Sequence, residues 1–236
     1  TACDYQTNFA TVLDRLGEKY HLICVNYDGF DGSGAVFPDM ITVTERIERY
    51  IQEHFGGRLD GALGSSLGST FVGQLIMRQK VHIDHGIFGS PDLDQSGRFS
   101  AWLQSKLVVP LLTSFTGSEK KQAKARKKLK SFFEMSDETA DRFMGCFSKF
   151  RPESIRNEYY TDLLTHLEDD IHVEHTAVHF IYANKMGEKY LKRYRKYFRD
   201  PEIREFDMQH EQWLFGGERY TVPVLKAIDE FMETPV

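Results

Sequence analysis

The chain has 236 residues, with 30 lysines and arginines against 35 aspartates and glutamates and a formal net charge of −5 at pH 7. Its composition, 41% hydrophobic and 13% aromatic, is typical of a globular domain and excludes a disordered tail or a collagen-like repeat. The mild acidity argues against a protein built mainly to hold nucleic acid or an anionic membrane. No run approaches the roughly 18 apolar residues of a membrane-spanning helix. Three cysteines without paired spacing, Cys3, Cys24 and Cys146, predict reduced thiols and a cytoplasmic protein.

The first predicted elements are a helix, a strand, a loop and a second helix. Apolar residues recur at helical spacing over residues 9–19 and again over residues 42–54, where Gly56 ends the pattern. The short apolar run at residues 21–27 predicts a buried parallel strand. The segment between them, residues 28–34, is rich in Gly, Asp and Ser, which is typical of loops.

The rest of the chain alternates strands and helices, with one long interruption. Residues 95–170 are helical in pattern, amphipathic and without a convincing strand. Strand–helix alternation predicts an α/β fold with a mostly parallel sheet and helices on both faces, and the interruption predicts an inserted helical cap. The core would comprise residues 1–94 and 171–236, and the cap residues 95–170. The further predicted elements are strands at 59–63, 81–88, 176–183 and 202–206, and helices after 68, at 188–198 and at 220–231.

The segment Gly64-Ser-Ser-Leu-Gly68 matches the pattern G-x-S-x-G between a predicted strand and a predicted helix. A serine at such a sharp turn is held in a strained conformation, and only small neighbours avoid a clash there. The hydroxyl of Ser66 would then stand above the sheet, beside a helix N-terminus that favours developing negative charge. The competing interpretation is a tight turn without chemistry.

With this turn and the interrupted alternation, the chain resembles the α/β-hydrolase superfamily, specifically its capped members, over nearly its whole length. Residues 28–33 are also similar to a glycine-rich loop of that superfamily, although shortened. The resemblance implies a catalytic histidine in the loop after the final strand, and His210 occupies that place. A histidine there can accept the proton of Ser66 and return it to the leaving group.

The resemblance also implies an acid after the strand that precedes the histidine strand. Glu188 is the nearest carboxylate to that position and could orient the imidazole, although the usual position falls at Asn184 or Met186, where no carboxylate exists. Asp92 and Asp94, after the third strand, are the fallback.

Two backbone N–H groups are needed for an oxyanion hole. Leu67, after the nucleophile, supplies one, and Ala2 is the tentative second because residues 1–3 precede the first helix. The family strand between the two strands predicted at 21–27 and 59–63 has no counterpart, so we expect further polypeptide upstream. An alternative is that Thr1 is the first residue of a processed chain and that its free amine activates its own hydroxyl as the nucleophile. This alternative is disfavoured because it would leave Ser66 and His210 without a role.

Other clusters favour ordinary structural roles. Histidines 172, 175 and 179 lie near acidic residues, but strand alternation separates them, so no metal site is predicted. The lysine-rich segment 120–130 could attract acidic substrates, nucleic acid or membrane phosphate, but a solvated helix face is the favoured interpretation. No aromatic residue interrupts the segment, as a single-strand binding groove would require. The chain has neither a P-loop nor a dinucleotide-binding glycine pattern, and no cofactor is expected.

The sequence therefore predicts a serine hydrolase that cleaves a small-molecule ester, thioester or amide through an acyl-enzyme, with esterase activity favoured. Peptidase and acyltransferase activities use the same machinery and stay open. The alternative from another class is a ligand-binding protein on a hydrolase scaffold.

Overall fold

One parallel sheet organises the protein in the computed structural model, which describes residues 3–236. Its strands are ordered β1-β2-β3-β4, and each runs parallel to its neighbour. Because all strands run the same way, their carboxyl ends meet at one edge of the sheet. The strands are β1 (Arg58–Ser65), β2 (His82–Gly89), β3 (Ala177–Ala183) and β4 (Glu202–Phe206).

Eleven α-helices are found among the described residues 3–236, and none of them is long and apolar enough to cross a membrane. They are α1 (Tyr5–Asn8), α2 (Leu13–Gly17), α3 (Met40–Phe55), α4 (Leu67–Arg78), α5 (Arg98–Thr113), α6 (Glu119–Phe133), α7 (Asp137–Cys146), α8 (Pro152–Leu164), α9 (Lys189–Tyr197), α10 (Gln212–Phe215) and α11 (Glu218–Met232).

Helices cover both faces of the sheet. Neighbouring residues on a strand point to opposite faces, and Ile87 and Phe88 of β2 accordingly belong to two different apolar clusters. Ile87 packs in the cluster that contains Ile228 of α11. Phe88 packs in the cluster that contains Val72 of α4 and Tyr194 of α9. The predicted fold class, a mostly parallel sheet between two helical layers, is confirmed.

Local sequence signals determine where the second predicted helix begins and ends. The carboxylate of Asp39 accepts a hydrogen bond from the Thr42 N–H at 2.8 Å, which caps the first turn of α3. Gly56 ends the helix with φ of 61°, a left-handed conformation that glycine adopts without strain.

Two predictions in the first 30 residues are wrong. The single helix predicted at residues 9–19 is replaced by the short helices α1 and α2 with a turn between them. Residues 21–27 form no strand, and Ile23 and Val25 are exposed. Within the part of the chain that is described, β1 pairs with β2 only, so this apolar run has no neighbouring strand to complete a hydrogen-bonded ladder.

Between β2 and β3 the chain forms the four helices α5 to α8 and no strand. This segment lies where the sequence predicts an inserted cap. Its division from the core as a separate domain stays a prediction.

Candidate active site

Ser66 lies at a sharp turn between β1 and α4, at the carboxyl edge of the sheet. Its φ of 51° and ψ of −117° are strained for a residue with a side chain. The turn is held from the neighbouring strand, because the Ser66 N–H donates to the Gly89 carbonyl at 2.9 Å. This hydrogen bond fixes the backbone of Ser66 relative to β2.

The first glycine of the motif is sterically required. A Cβ atom on Gly64 would lie 2.2 Å from the carbonyl oxygen of Gly68 and 2.6 Å from the Ser69 nitrogen, and backbone atoms cannot rotate away. The second glycine has more room, since a Cβ atom on Gly68 would meet only the Tyr27 hydroxyl at 3.8 Å. The strand and the helix can therefore approach this closely only because residue 64 has no side chain.

His210 reaches Ser66 from the loop that follows β4. Its Nε2 atom lies 2.9 Å from the Ser66 Oγ, within hydrogen-bond distance, although 144 residues separate the two in sequence. The loop is anchored by Met208, which is 1% exposed and whose carbonyl accepts the Lys185 N–H at 3.3 Å. The Gln209 N–H donates to the Gln212 side chain at 2.8 Å. A serine and an imidazole in this contact can transfer a proton.

The far nitrogen of the imidazole has no acid beside it. Within residues 3–236, the His210 Nδ1 is buried without a hydrogen-bond partner. Glu188 is exposed at the start of α9. Asp94 pairs with Arg193 at 2.6 Å, and the carbonyl of Asp92 accepts a hydrogen bond from the same arginine. The structure thus brings Ser66 and His210 together but places none of the three predicted acids on the ring.

A carboxylate that the sequence analysis missed lies on the near side of the ring. Glu211 is 2% exposed, its Oε1 accepts a hydrogen bond from the Ser65 hydroxyl at 2.9 Å, and its Oε2 lies 3.7 Å from the His210 Nε2. The carboxyl group of Glu211 therefore lies beside the nitrogen that faces Ser66 and not beside the far nitrogen. The only sequence signal for Glu211 is that it directly follows His210. This signal is weak because the side chains of neighbouring loop residues often point in different directions.

Leu67 begins α4, so its N–H is among the groups at a helix start that lack an intrahelical acceptor. This N–H and the positive end of the helix dipole can stabilise an oxyanion formed beside Ser66. The second predicted donor, Ala2, lies outside the described residues.

Helix α8, which packs near α4 through Ile155, carries a buried carboxyl group. Glu158 is 6% exposed, and burial, with Asp162 one turn further along, raises its pKa to about 8. Burial also raises the pKa of Asp162, to about 7, and the Thr70 side chain of α4 partly offsets this shift. One turn before Glu158 on the same face of α8, the Ser154 hydroxyl accepts the Phe37 N–H at 3.1 Å and ties the helix to the loop before α3.

We expect Glu158→Gln to stabilise the protein increasingly as the pH rises. A folded-state pKa above the unfolded value of about 4.3 means that the folded state keeps a proton which the unfolded state loses. The contribution of the Glu158 carboxyl group to stability is therefore fully present below about pH 4.3 and is lost as the pH rises through about 8. The difference in unfolding free energy between the variant and the wild type, measured by urea unfolding, should grow by about 2–3 kcal/mol from pH 6 to pH 9. Glu153→Gln, exposed on the same helix, is the matched control, and an equal pH profile for both variants would contradict the expectation.

No group of three or more His, Cys, Asp or Glu side chains that could hold a metal ion is found in residues 3–236. Of the three clustered histidines, His179 is buried in β3 and contacts His85 Nδ1 at 3.3 Å and Glu202 at 3.0 Å. Burial lowers the pKa of both histidines.

A cleft of about 490 Å³ opens beside the His210 loop, between that loop and the end of α6. Its walls include Gln209, Phe132, Lys128 and Lys185. This volume is adequate for a small molecule. The cleft lies between the predicted cap and the core, next to the residue that precedes His210.

Similar folds occur among solved structures. The chain is similar to a putative alpha/beta hydrolase family protein from Desulfitobacterium hafniense, with a TM-score of 0.72 and 12% identity over 98% of this chain and 92% of that one. It is also similar to MenH from S. aureus, with a TM-score of 0.70 and 11% identity over 98% of this chain and 91% of that one. An acetylester hydrolase from Corynebacterium glutamicum has a TM-score of 0.68 and 16% identity over 99% of this chain and 83% of that one. No protein-family model matches the chain, and no curated protein matches it. At these identities the likeness concerns the fold.

Proposed function

Because the chain has the α/β-hydrolase fold, we propose that it is a serine hydrolase with Ser66 as nucleophile and His210 as general base. The single observation that carries the proposal is the 2.9 Å contact between the Ser66 Oγ and the His210 Nε2, made by a serine in a strained turn. Ordinary turns do not need a positive φ at serine, and the strain is typical of a hydroxyl held for reaction.

The proposed reaction has two halves. The Ser66 Oγ attacks a carbonyl carbon while the His210 Nε2 takes its proton, and the Leu67 N–H stabilises the oxyanion. The imidazolium then protonates the leaving group, which departs and leaves an acyl-enzyme. Water, deprotonated by the same nitrogen, releases the acid and regenerates Ser66. The Glu211 carboxyl group lies 3.7 Å from that nitrogen, beside the atom that carries the proton in both halves.

A carboxylic ester is the proposed substrate class. The similar structures include an acetylester hydrolase, and a base without an acid on its far nitrogen is better matched to an ester than to an amide, whose leaving group is the poorer of the two. The helices between β2 and β3 would select the substrate, since α6 lines the cleft beside His210.

The second candidate is a ligand-binding protein on the same scaffold. It is favoured by one observation, the absence of a partner for the His210 Nδ1 within residues 3–236. Without an acid to hold its tautomer, an imidazole is a weaker base. The two candidates differ in whether Ser66 is reactive.

Labelling with a fluorophosphonate tests this difference. We expect one adduct by intact mass, on the peptide that contains Ser66, and no adduct on Ser66→Ala. Ser100→Ala removes an exposed serine of α5 and should be labelled like the wild type. A folded wild-type protein that stays unlabelled would overturn the hydrolase proposal and favour the ligand-binding one.

A further inference from the structure

The outward face of α5 is apolar, which is the reverse of the usual arrangement in a surface helix. Phe99 is 77% exposed and Leu107 is 67% exposed, whereas the small residues Ala101 and Ser105 of the same helix are buried. We define the apolar stripe as the exposed residues Phe99, Trp102, Leu103, Leu107 and Leu111.

The stripe is continuous along the helix. Phe99, Leu103, Leu107 and Leu111 follow one another at intervals of four, and residues four apart are neighbours on one helix face. Phe99 also stacks on Trp102, with ring centroids 6.0 Å apart. Single exposed apolar residues are ordinary, but a contiguous apolar patch on a protein marks an interaction surface.

The next helix, α6, carries a row of exposed lysine side chains. Lys121, Lys124 and Lys128 recur at intervals of three and four, and Phe132, 47% exposed, continues the row. None of these three lysines makes an ion pair with any residue of the described chain. Arg126 and Lys130 of the same helix, by contrast, pair with Asp137. The three lysines are therefore available to a negatively charged partner.

The apolar stripe of α5 and the lysines of α6 lie close together in the sequence. Only the short turn Ser114–Thr116 and residues 117–118 separate α5 from α6. Lys106 lies within the stripe and holds its ammonium group 3.9 Å from the centre of the Trp102 ring. Apolar and aromatic side chains bordered by lysines are typical of helices that lie in the interfacial plane of a membrane.

We propose that the apolar stripe of α5 and the exposed lysines of α6 together bind the surface of a bilayer that contains anionic lipids. The stripe would enter the boundary between headgroups and acyl chains, and Lys121, Lys124 and Lys128 would contact the lipid phosphates. Charge complementarity favours this occupant over a second copy of the chain, because a second copy would bring a second set of lysines to the interface. The proposal does not depend on the proposed hydrolase activity.

Sedimentation with vesicles tests the proposal on the full chain. We expect binding to vesicles of mixed phosphatidylcholine and phosphatidylglycerol, weaker binding to phosphatidylcholine alone, and loss of binding at high salt. Leu107→Asp should lower the partition coefficient at least about tenfold. Val222→Asp, which alters an exposed valine of α11, is its matched control and should bind like the wild type.

The lysines have their own variant. Lys121→Glu with Lys124→Glu should also lower the partition coefficient at least about tenfold, whereas Lys192→Glu, exposed on α9, should not. Equal binding to both vesicle types, binding that survives Leu107→Asp, or no binding by the folded wild type would each overturn the proposal. Concentration-dependent dimerisation that Leu107→Asp abolishes, without vesicle binding, would overturn it in favour of a second copy.

Discussion

Replacement of His210 by alanine is expected to slow fluorophosphonate labelling of Ser66 by about 10²–10⁴-fold. The neutral serine hydroxyl is a weak nucleophile, and the imidazole Nε2 at 2.9 Å is the group placed to remove its proton. Labelling rate constants measured by intact mass under excess reagent give the ratio directly. The same factor should apply to hydrolysis of any ester that the wild type accepts.

The control for this variant is a histidine elsewhere on the surface. His166 is exposed, contacts Gln95 at 2.8 Å and is not in contact with Ser66. His166→Ala should therefore be labelled at the wild-type rate. If His210→Ala melts with the wild type and is labelled equally fast, His210 is not the base.

Substitution of Gly64 by alanine is expected to destabilise the protein by about 3 kcal/mol or more. The added methyl group would lie 2.2 Å and 2.3 Å from the carbonyl oxygen and carbon of Gly68. Both are backbone atoms of the first turn of α4, so relief requires the helix to move away from β1. Urea unfolding measures the loss, and labelling of Ser66 in the folded fraction should also decrease.

A glycine with open space provides the matched control. Gly145, near the end of α7, has no heavy atom within 4 Å of the position that its Cβ would take. Gly145→Ala should stabilise the protein by about 0.5–1 kcal/mol, since alanine is the better helix former. Wild-type stability and labelling in Gly64→Ala would contradict the requirement for glycine in this turn.

Most of the sheet could be predicted from sequence because strand and helix patterns alternate along the chain and turn signals separate them. The strand predicted at 202–206 is β4, and the strand predicted at 59–63 extends to Arg58–Ser65 as β1. The run at 21–27 is also apolar but forms no strand. A strand needs hydrogen bonds from a neighbour as well as suitable side chains, and β1 offers no described neighbour on that side.

The candidate site divides in the same way between local and distant causes. Ser66 could be found because five consecutive residues form its turn, and backbone geometry requires glycine at the first of them, Gly64. His210 could be placed by its position after the last strand. What surrounds the imidazole depends on loops joined only by folding. No local sequence pattern predicts that the His210 Nδ1 lacks a hydrogen-bond partner. The same holds for the hydrogen bond that Glu211 accepts from Ser65, 146 residues away. Sequence periodicity reports which residues are buried, but contacts between distant loops are decided by how the packed elements orient them.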